Sequence, residues 1–212
     1  MPSVTRKSQH SRAARRDEIR NRLLEVVERL LQEGESYTEI SVERLVSEAS
    51  ISRSTFYVYF QDKGDLVSAW FSGIIKEIED ASLDWAELDG DATWDDLRAA
   101  LSKIIDAYKP HTTLMAAVYD AAAYDPGVRD LVFEMMDWNI TRLRNHIKAG
   151  QKAGFVDPDL LPQQTAAWLQ WMSERGLHQL VRNAKPAEVE RLMDAYTAIV
   201  WNTLYAPVRK RR

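Results

Sequence analysis

An all-α protein is the expectation, and three features carry it. The 212 residues include only eight Gly and seven Pro, while the strong helix formers Ala, Leu, Glu and Arg are abundant. Apolar residues recur at helical rather than alternating spacing along most of the chain. Ser, Thr, Asp and Pro stand repeatedly where a helix would begin, and Gly where one would end. The length suits one large or two small domains. With no Cys, disulfides, zinc fingers and thiol nucleophiles are excluded, and a cytoplasmic location is expected. No apolar run approaches the roughly 18 residues of a membrane span. The first twenty residues are basic but have no apolar stretch, so no secretory signal is expected.

Residues 1–15 are polar and are expected to form a basic, flexible arm. From about Asp17 a helix is expected, because Ile19, Leu23, Val26, Val27, Leu30 and Leu31 share one face and Gly34 stops it. Two short segments follow with the same entry grammar. Ser41 caps one and Ile40 can staple onto Leu45; Ser52 caps the other and Ile51 can staple onto Phe56. Only Ala49-Ser50 separates them, so they form a helix-turn-helix candidate. The run TFYVYF is β-like in composition, but the Phe56/Phe60 spacing reads as helix. Asp62 can cap the next helix, with Leu66, Ala69, Trp70, Ile74 and Ile78 on its apolar face. Residues 85–92 read as a linker. Thr93 and Asp96 form a capping box that opens a helix to about Tyr108. Pro110 interrupts, and a helix near Thr112–Ala123 follows. Asp125-Pro126 opens a long helix toward Gly154, and Pro162 and Pro186 open the last two.

Charge is unevenly spread. Five basic residues (Arg6, Lys7, Arg12, Arg15 and Arg16) fall within the first sixteen, with no acid among them. Glu77–Asp96 holds nine acids and no base. An acidic protein approaches nucleic acid only where its bases are concentrated, and here they lie at the N-terminus. The arm could follow a DNA backbone or a minor groove, or serve only as a solubilising tail. Arg209–Arg212 reads as a solvated tail, and the acidic stretch as a solvated face.

The helix opening at Ser52 sends Phe56 and Phe60 to the core. That leaves Arg53, Ser54, Thr55, Tyr57 and Tyr59 for other faces. Hydroxyls at such positions can donate to phosphates or base edges, and the Thr55 methyl can meet a thymine methyl. Lys63 is placed for a backbone phosphate.

The run Ile40–Leu66, ISVERLVSEASISRSTFYVYFQDKGDL, resembles the DNA-binding segment of TetR-family transcriptional regulators. The likeness lies in S-V-x-x-L, then I-S-x-x-T-F-Y-x-Y-F, then D-K. It implies a three-helix headpiece over residues 16–61 and a helical ligand-binding and dimerisation domain over 62–212. Carried over position by position, it implies DNA contacts at Ser41, Arg53, Ser54, Thr55, Tyr57, Tyr59 and Lys63. A fainter likeness, Met172-Ser173-Glu174-Arg175, is to a Glu-Arg of the EthR-type branch. The family usually has Gly where this chain has Ser50. If φ is positive there, Ser costs about 1 kcal/mol or more.

All seven Trp follow residue 64. Any one of them could simply be core, but as a group, with nearby Met, they could line a cavity for a flat or apolar molecule. The expected lining is Met115, Met135, Trp138, Trp168, Trp171 and Trp201, with Tyr108 and Gln170 as polar groups that orient the ligand. Glu174-Arg175, within an apolar helix, could be a buried ion pair or a partner for a ligand's charge, and is read as a structural pair. No catalytic motif and no metal-ligand spacing is found, and His10, His111, His146 and His178 are scattered. Neither a cofactor nor a metal is expected, and the chain is not read as an enzyme.

The resulting expectation is a ligand-responsive repressor. It binds a palindromic double-stranded DNA operator as a homodimer built on the last two helices, and a small hydrophobic effector releases it. The alternative is a helical small-molecule-binding protein or enzyme without DNA binding.

Overall fold

A computed structural model describes the backbone of residues 4–210 and the side chains of residues 13–208. The described residues are helical, without a strand. Helix α1 (Val4–Gln32) is followed by α2 (Val42–Glu48), α3 (Arg53–Tyr59), α4 (Lys63–Ala81) and the short α5 (Leu83–Ala86). Then come α6 (Trp94–Tyr108), α7 (Thr112–Ala122), α8 (Pro126–Ala153), α9 (Pro162–Gly176), α10 (Pro186–Leu204) and α11 (Ala206–Lys210). None is long and apolar enough to cross a membrane.

The chain divides into two compact units, Met1–Gly73 with Thr113–Leu131, and Ile74–Thr112 with Val132–Arg212. The expected boundary at 61/62 is a single cut, whereas these units interleave in sequence.

In the first unit most of the expected face of α1 is buried (Ile19, Leu23, Val26, Val27 and Leu30), and Leu31 is half-buried. Gly34, with φ of 95°, ends the helix. The Gly34 amide bonds the Leu31 carbonyl and the Glu35 amide bonds that of Leu30, a Schellman stop. Helix α1 begins at Val4 rather than near Asp17. Nothing between Val4 and Asp17 breaks a helix, because the stretch has neither Gly nor Pro. The expected arm is thus helical backbone from Val4 on; the side chains of Arg6, Lys7 and Arg12 lie outside the described residues.

The second unit has its own core. Leu97, Ala100, Leu101, Ile105 and Tyr108 of α6 are buried at helical spacing, as are Val189, Met193, Thr197, Val200 and Leu204 of α10. Ile140, Leu143 and Ile147 of α8 and Leu169 of α9 join them. The capping box is formed: Asp96 N–H bonds Thr93 Oγ1 at 3.2 Å, and Thr93 N–H bonds Asp96 Oδ2 at 2.7 Å. Trp85, expected in a linker, is buried in α5. Its indole donates to the Tyr205 hydroxyl at 3.2 Å, and that hydroxyl lies 2.8 Å from His146 Nε2. A buried indole needs an acceptor, and this partner stands 120 residues away.

Candidate nucleic-acid interface

Helices α2 and α3 are positioned by their caps. Ser41 Oγ accepts from Arg44 N–H at 3.1 Å, and Ser52 Oγ accepts from Thr55 N–H at 3.0 Å. Between them the chain turns at Ser50, whose φ is 51°. Ser50 N–H bonds the Ser47 carbonyl and Ile51 N–H bonds that of Val46. This is again a Schellman stop, with a serine in the left-handed place that suits Gly. The turn thus keeps the geometry that the family's Gly would favour and carries the strain of a side chain there.

Helix α2 is tied to α1 by charge. Arg29 bonds Glu48 at 2.7 Å, Glu48 bonds Arg44 at 3.0 Å, and Arg44 reaches Glu35 at 3.3 Å. The Glu48 carboxyl is held below the usual range, first by its hydrogen bond from Arg29. These groups are exposed, so the network orients the helices more than it stabilises them.

Helix α3 buries Phe56 completely, against Phe60 at 5.6 Å between ring centroids. The opposite surface carries the candidate contacts. Tyr57 is 46% exposed, and Arg53 and Ser54 are exposed; Thr55 and Tyr59 are half-buried. Arg53 pairs with Glu43 at 2.6 Å, and its guanidinium stands 5.6 Å from the Tyr57 ring centroid. Ser54 Oγ and Thr55 Oγ1 both lie within hydrogen-bond distance of Ser52 Oγ, at 2.8 and 2.7 Å.

Lys63 is spent elsewhere. Its ammonium donates to the carbonyls of Tyr37 at 2.8 Å, Thr38 at 3.2 Å and Ile40. An ammonium has three protons, so the phosphate contact expected of Lys63 finds no free donor in this conformation. Burial lowers its pKa. Lys63 instead fastens the loop between α1 and α2.

An open cleft of about 690 Å³ runs beside the exposed end of α3, lined by Ala13, Arg16, Tyr57, Tyr59 and Asp65 among others. Arg16 sits 5.4 Å from the Phe60 ring centroid and 3.9 Å from Asp65. Arg16 falls at the boundary between the expected arm and headpiece. The continuous α1 brings it beside the tyrosines, and this would have been legible had the helix been extended past Asp17.

The expected ligand-lining residues are less uniform. Met115 is buried in the first unit. The other seven belong to the second. Tyr108 is buried and Met135 and Gln170 are half-buried, Gln170 reaching Met136 Sδ at 3.9 Å. Trp201 is half-buried and tilted on Tyr205. Trp168 is 78% exposed, and Trp171 and Trp138 are also exposed. All three stand at the surface of the chain. The reason is helical phase: α9 turns Ala166 and Leu169 inward, and Trp168 and Trp171 project from its other side. Trp138 instead stacks under the Arg142 guanidinium at 4.5 Å. Nor is Glu174-Arg175 a buried pair. Glu174 is buried, but Arg175 is exposed and its Nε lies 3.8 Å away. Among the described residues no cluster of His, Asp and Glu could hold a metal ion.

Known proteins give this geometry its relatives. The family profile for the bacterial regulatory proteins of the tetR family matches residues 23–70. The profile for the C-terminal domain of transcriptional regulator EthR matches residues 97–206, more than half the chain. The chain is 26% identical over 210 residues to the HTH-type transcriptional regulator EthR of Mycolicibacterium smegmatis, covering 96% of this chain and 94% of that protein. It is also 26% identical to EthR of Mycobacterium tuberculosis over 189 residues, 88% of this chain and 87% of that one. The fold matches that of the TetR-family regulator PfmR from Thermus thermophilus, with a TM-score of 0.65 at 17% identity, over 85% of this chain and 97% of the other. The chain belongs to the TetR family of transcriptional regulators, with a DNA-binding helix-turn-helix domain and an EthR-like ligand-binding C-terminal domain.

Proposed function

We propose that this regulator is a repressor that binds a palindromic operator as a homodimer and leaves it when a small, largely apolar effector occupies the C-terminal domain. The carrying observation is the split of α3: Phe56 is sealed in the core while Arg53, Ser54 and Tyr57 stand outward. Thr55 and Tyr59 flank them, and Ser41 marks the start of α2 for a phosphate contact. Lys63 supports the headpiece rather than touching DNA. The N-terminal turns of α1 add bases along the backbone, which steepens salt dependence without adding sequence choice.

Dimerisation is proposed through α9 and α10. Trp168 and Trp171 on α9 and Ile199 on α10 are exposed apolar side chains, and solvent-facing aromatics of this kind mark an interface. Two headpieces then read half-sites one or more helical turns apart, roughly 34 Å per turn. Release is a population shift: the effector acts only as far as its affinity differs between the two states. Helix α4, which begins in the first unit and ends in the second, is the proposed lever. The protein acts in the cytoplasm, where its DNA is.

Footprinting and anisotropy on the DNA upstream of the gene test this reading. A dimer protecting two symmetry-related half-sites, with affinity falling steeply as salt rises, is expected. A monomer on DNA, or binding indifferent to sequence, would defeat it.

A further inference from the structure

The segment that carries α2 and α3 is acidic. Glu35–Asp65 holds six acids (Glu35, Glu39, Glu43, Glu48, Asp62 and Asp65) against three bases, Arg44, Arg53 and Lys63. Two of the three bases are committed inside the headpiece. Arg44 pairs with Glu35 and Glu48, and Lys63 donates to three carbonyls. That leaves Arg53, the first residue of α3, and it too is held. Its Nη1 lies 2.6 Å from Oε1 of Glu43, in the first turn of α2. Its guanidinium carbon lies 5.6 Å from the Tyr57 ring centroid.

This ion pair does little for stability. The two side chains are 62% and 60% exposed, and attraction in that much water is weak. Its consequence lies in what Arg53 can then bind. A lone guanidinium at this place would take up any phosphate, whatever the sequence. Beside Glu43 the pair carries no net charge. Moving Arg53 to a phosphate exchanges one anion for another. It also leaves the Glu43 carboxylate facing the DNA backbone, where like charges repel. A guanidinium has five N–H donors, so Arg53 can keep Glu43 and still offer two parallel donors to a neutral acceptor. In the major groove the neutral edge that fits such a fork is that of guanine, through O6 and N7.

We infer that Glu43 is a positioning residue that reserves Arg53 for a guanine in each half-site and withholds it from phosphates. Glu43 itself touches no base. Its effect is discrimination: it weakens binding to random DNA more than binding to the operator. This inference rests on α3 entering the major groove, as proposed above.

Anisotropy titrations of the full-length protein across salt, on the upstream DNA and on random DNA of equal length, test it. The proteins are wild type, Glu43→Gln, Arg53→Ala and the double variant. At one guanine in each half-site, 7-deazaguanine, which lacks the N7 acceptor, should weaken wild-type binding about tenfold. Glu43→Gln should bind random DNA about fivefold or more tightly, with a salt slope steeper by about 0.9, as one added phosphate contact requires. Its loss on 7-deazaguanine should shrink. In the Arg53→Ala background the same Glu43→Gln change should alter random-DNA affinity by less than about twofold. A full effect there means that the carboxylate acts by general repulsion alone, and it overturns the inference. Unchanged random-DNA affinity and slope in Glu43→Gln overturn it as well, as does a wild-type operator complex indifferent to 7-deazaguanine at every guanine. Both side chains are exposed, so all four proteins should melt within a few degrees of one another. A wild type that forms no specific complex with the upstream DNA removes the reading of α3 and the inference with it.

Discussion

Tyr37 and Lys63 exchange hydrogen bonds. The Tyr37 hydroxyl donates to the Lys63 carbonyl at 2.8 Å, and the Lys63 ammonium donates to the Tyr37 carbonyl at 2.8 Å. The ammonium also stands 4.9 Å from the Tyr37 ring centroid. Thr38 and Ile40 supply its other acceptors, so one side chain closes the loop that leads into α2. Replacing Lys63 with Met leaves three carbonyls without this donor and should cost about 1–3 kcal/mol in urea unfolding. Tyr37→Phe should cost about 1 kcal/mol, and the double variant less than the sum. A phosphate ligand would behave differently: its loss would lower the salt slope of DNA binding by about 0.9 and spare stability.

Ser50 offers a gain. Its φ of 51° suits Gly, and a left-handed side-chain residue costs about 1–2 kcal/mol. Ser50→Gly should raise stability by about 0.5–1 kcal/mol after the added unfolded-state entropy of Gly. The urea midpoint should rise at unchanged slope, with operator affinity intact.

Gly150 should resist the usual helix improvement. A β-carbon there would lie 2.3 Å from Val156 Cγ2 and 2.8 Å from Phe155 Cε2. Both residues follow the turn that ends α8, and both amides bond the Gly150 carbonyl. Propensity alone favours Ala by about 1 kcal/mol. Overpacking costs about 1–3 kcal/mol, so Gly150→Ala should lower the urea midpoint.

His146 makes stability depend on pH. Burial lowers its pKa from the ordinary 6.5, with the hydrogen bond to the Ala86 carbonyl acting the other way. The neutral ring satisfies both neighbours if Nδ1–H faces Ala86 and Nε2 accepts from Tyr205. Below pH about 6.5 the unfolded chain takes up the proton first, so stability falls as pH drops through that value toward the lower folded pKa. His146→Gln should flatten the pH dependence of the urea midpoint between about pH 7.5 and 5.

The helix ends are largely legible in the sequence because their signals are local. Ser41, Ser52, Thr93 and Asp125 cap residues within three positions of themselves, and Gly34 stops a helix by its own φ. The bonds that Lys63 makes are not legible in the sequence, because its acceptors lie 23 to 26 residues upstream, where only tertiary approach brings them. Trp85 reads as linker for the same reason, since its partner is Tyr205. Glu174 and Arg175 do pair, but only at 3.8 Å and with Arg175 in solvent, because neighbours on a helix point about 100° apart. The tryptophans show the limit of composition: Trp168 and Trp201 have the same chemistry, and only helix phase sends one outward and leaves the other half-buried.

The outward face of α3 is tested most directly by fluorescence anisotropy with labelled upstream DNA, comparing wild type with Tyr57→Ala at several salt concentrations. Tyr57 is exposed and meets Phe56 only at a ring edge, so its removal should leave the melting temperature within a few degrees. Specific binding should be lost while weak, salt-sensitive binding to random DNA persists. A Tyr57→Ala protein that still binds the specific DNA at wild-type affinity would contradict the placement of this helix in the groove.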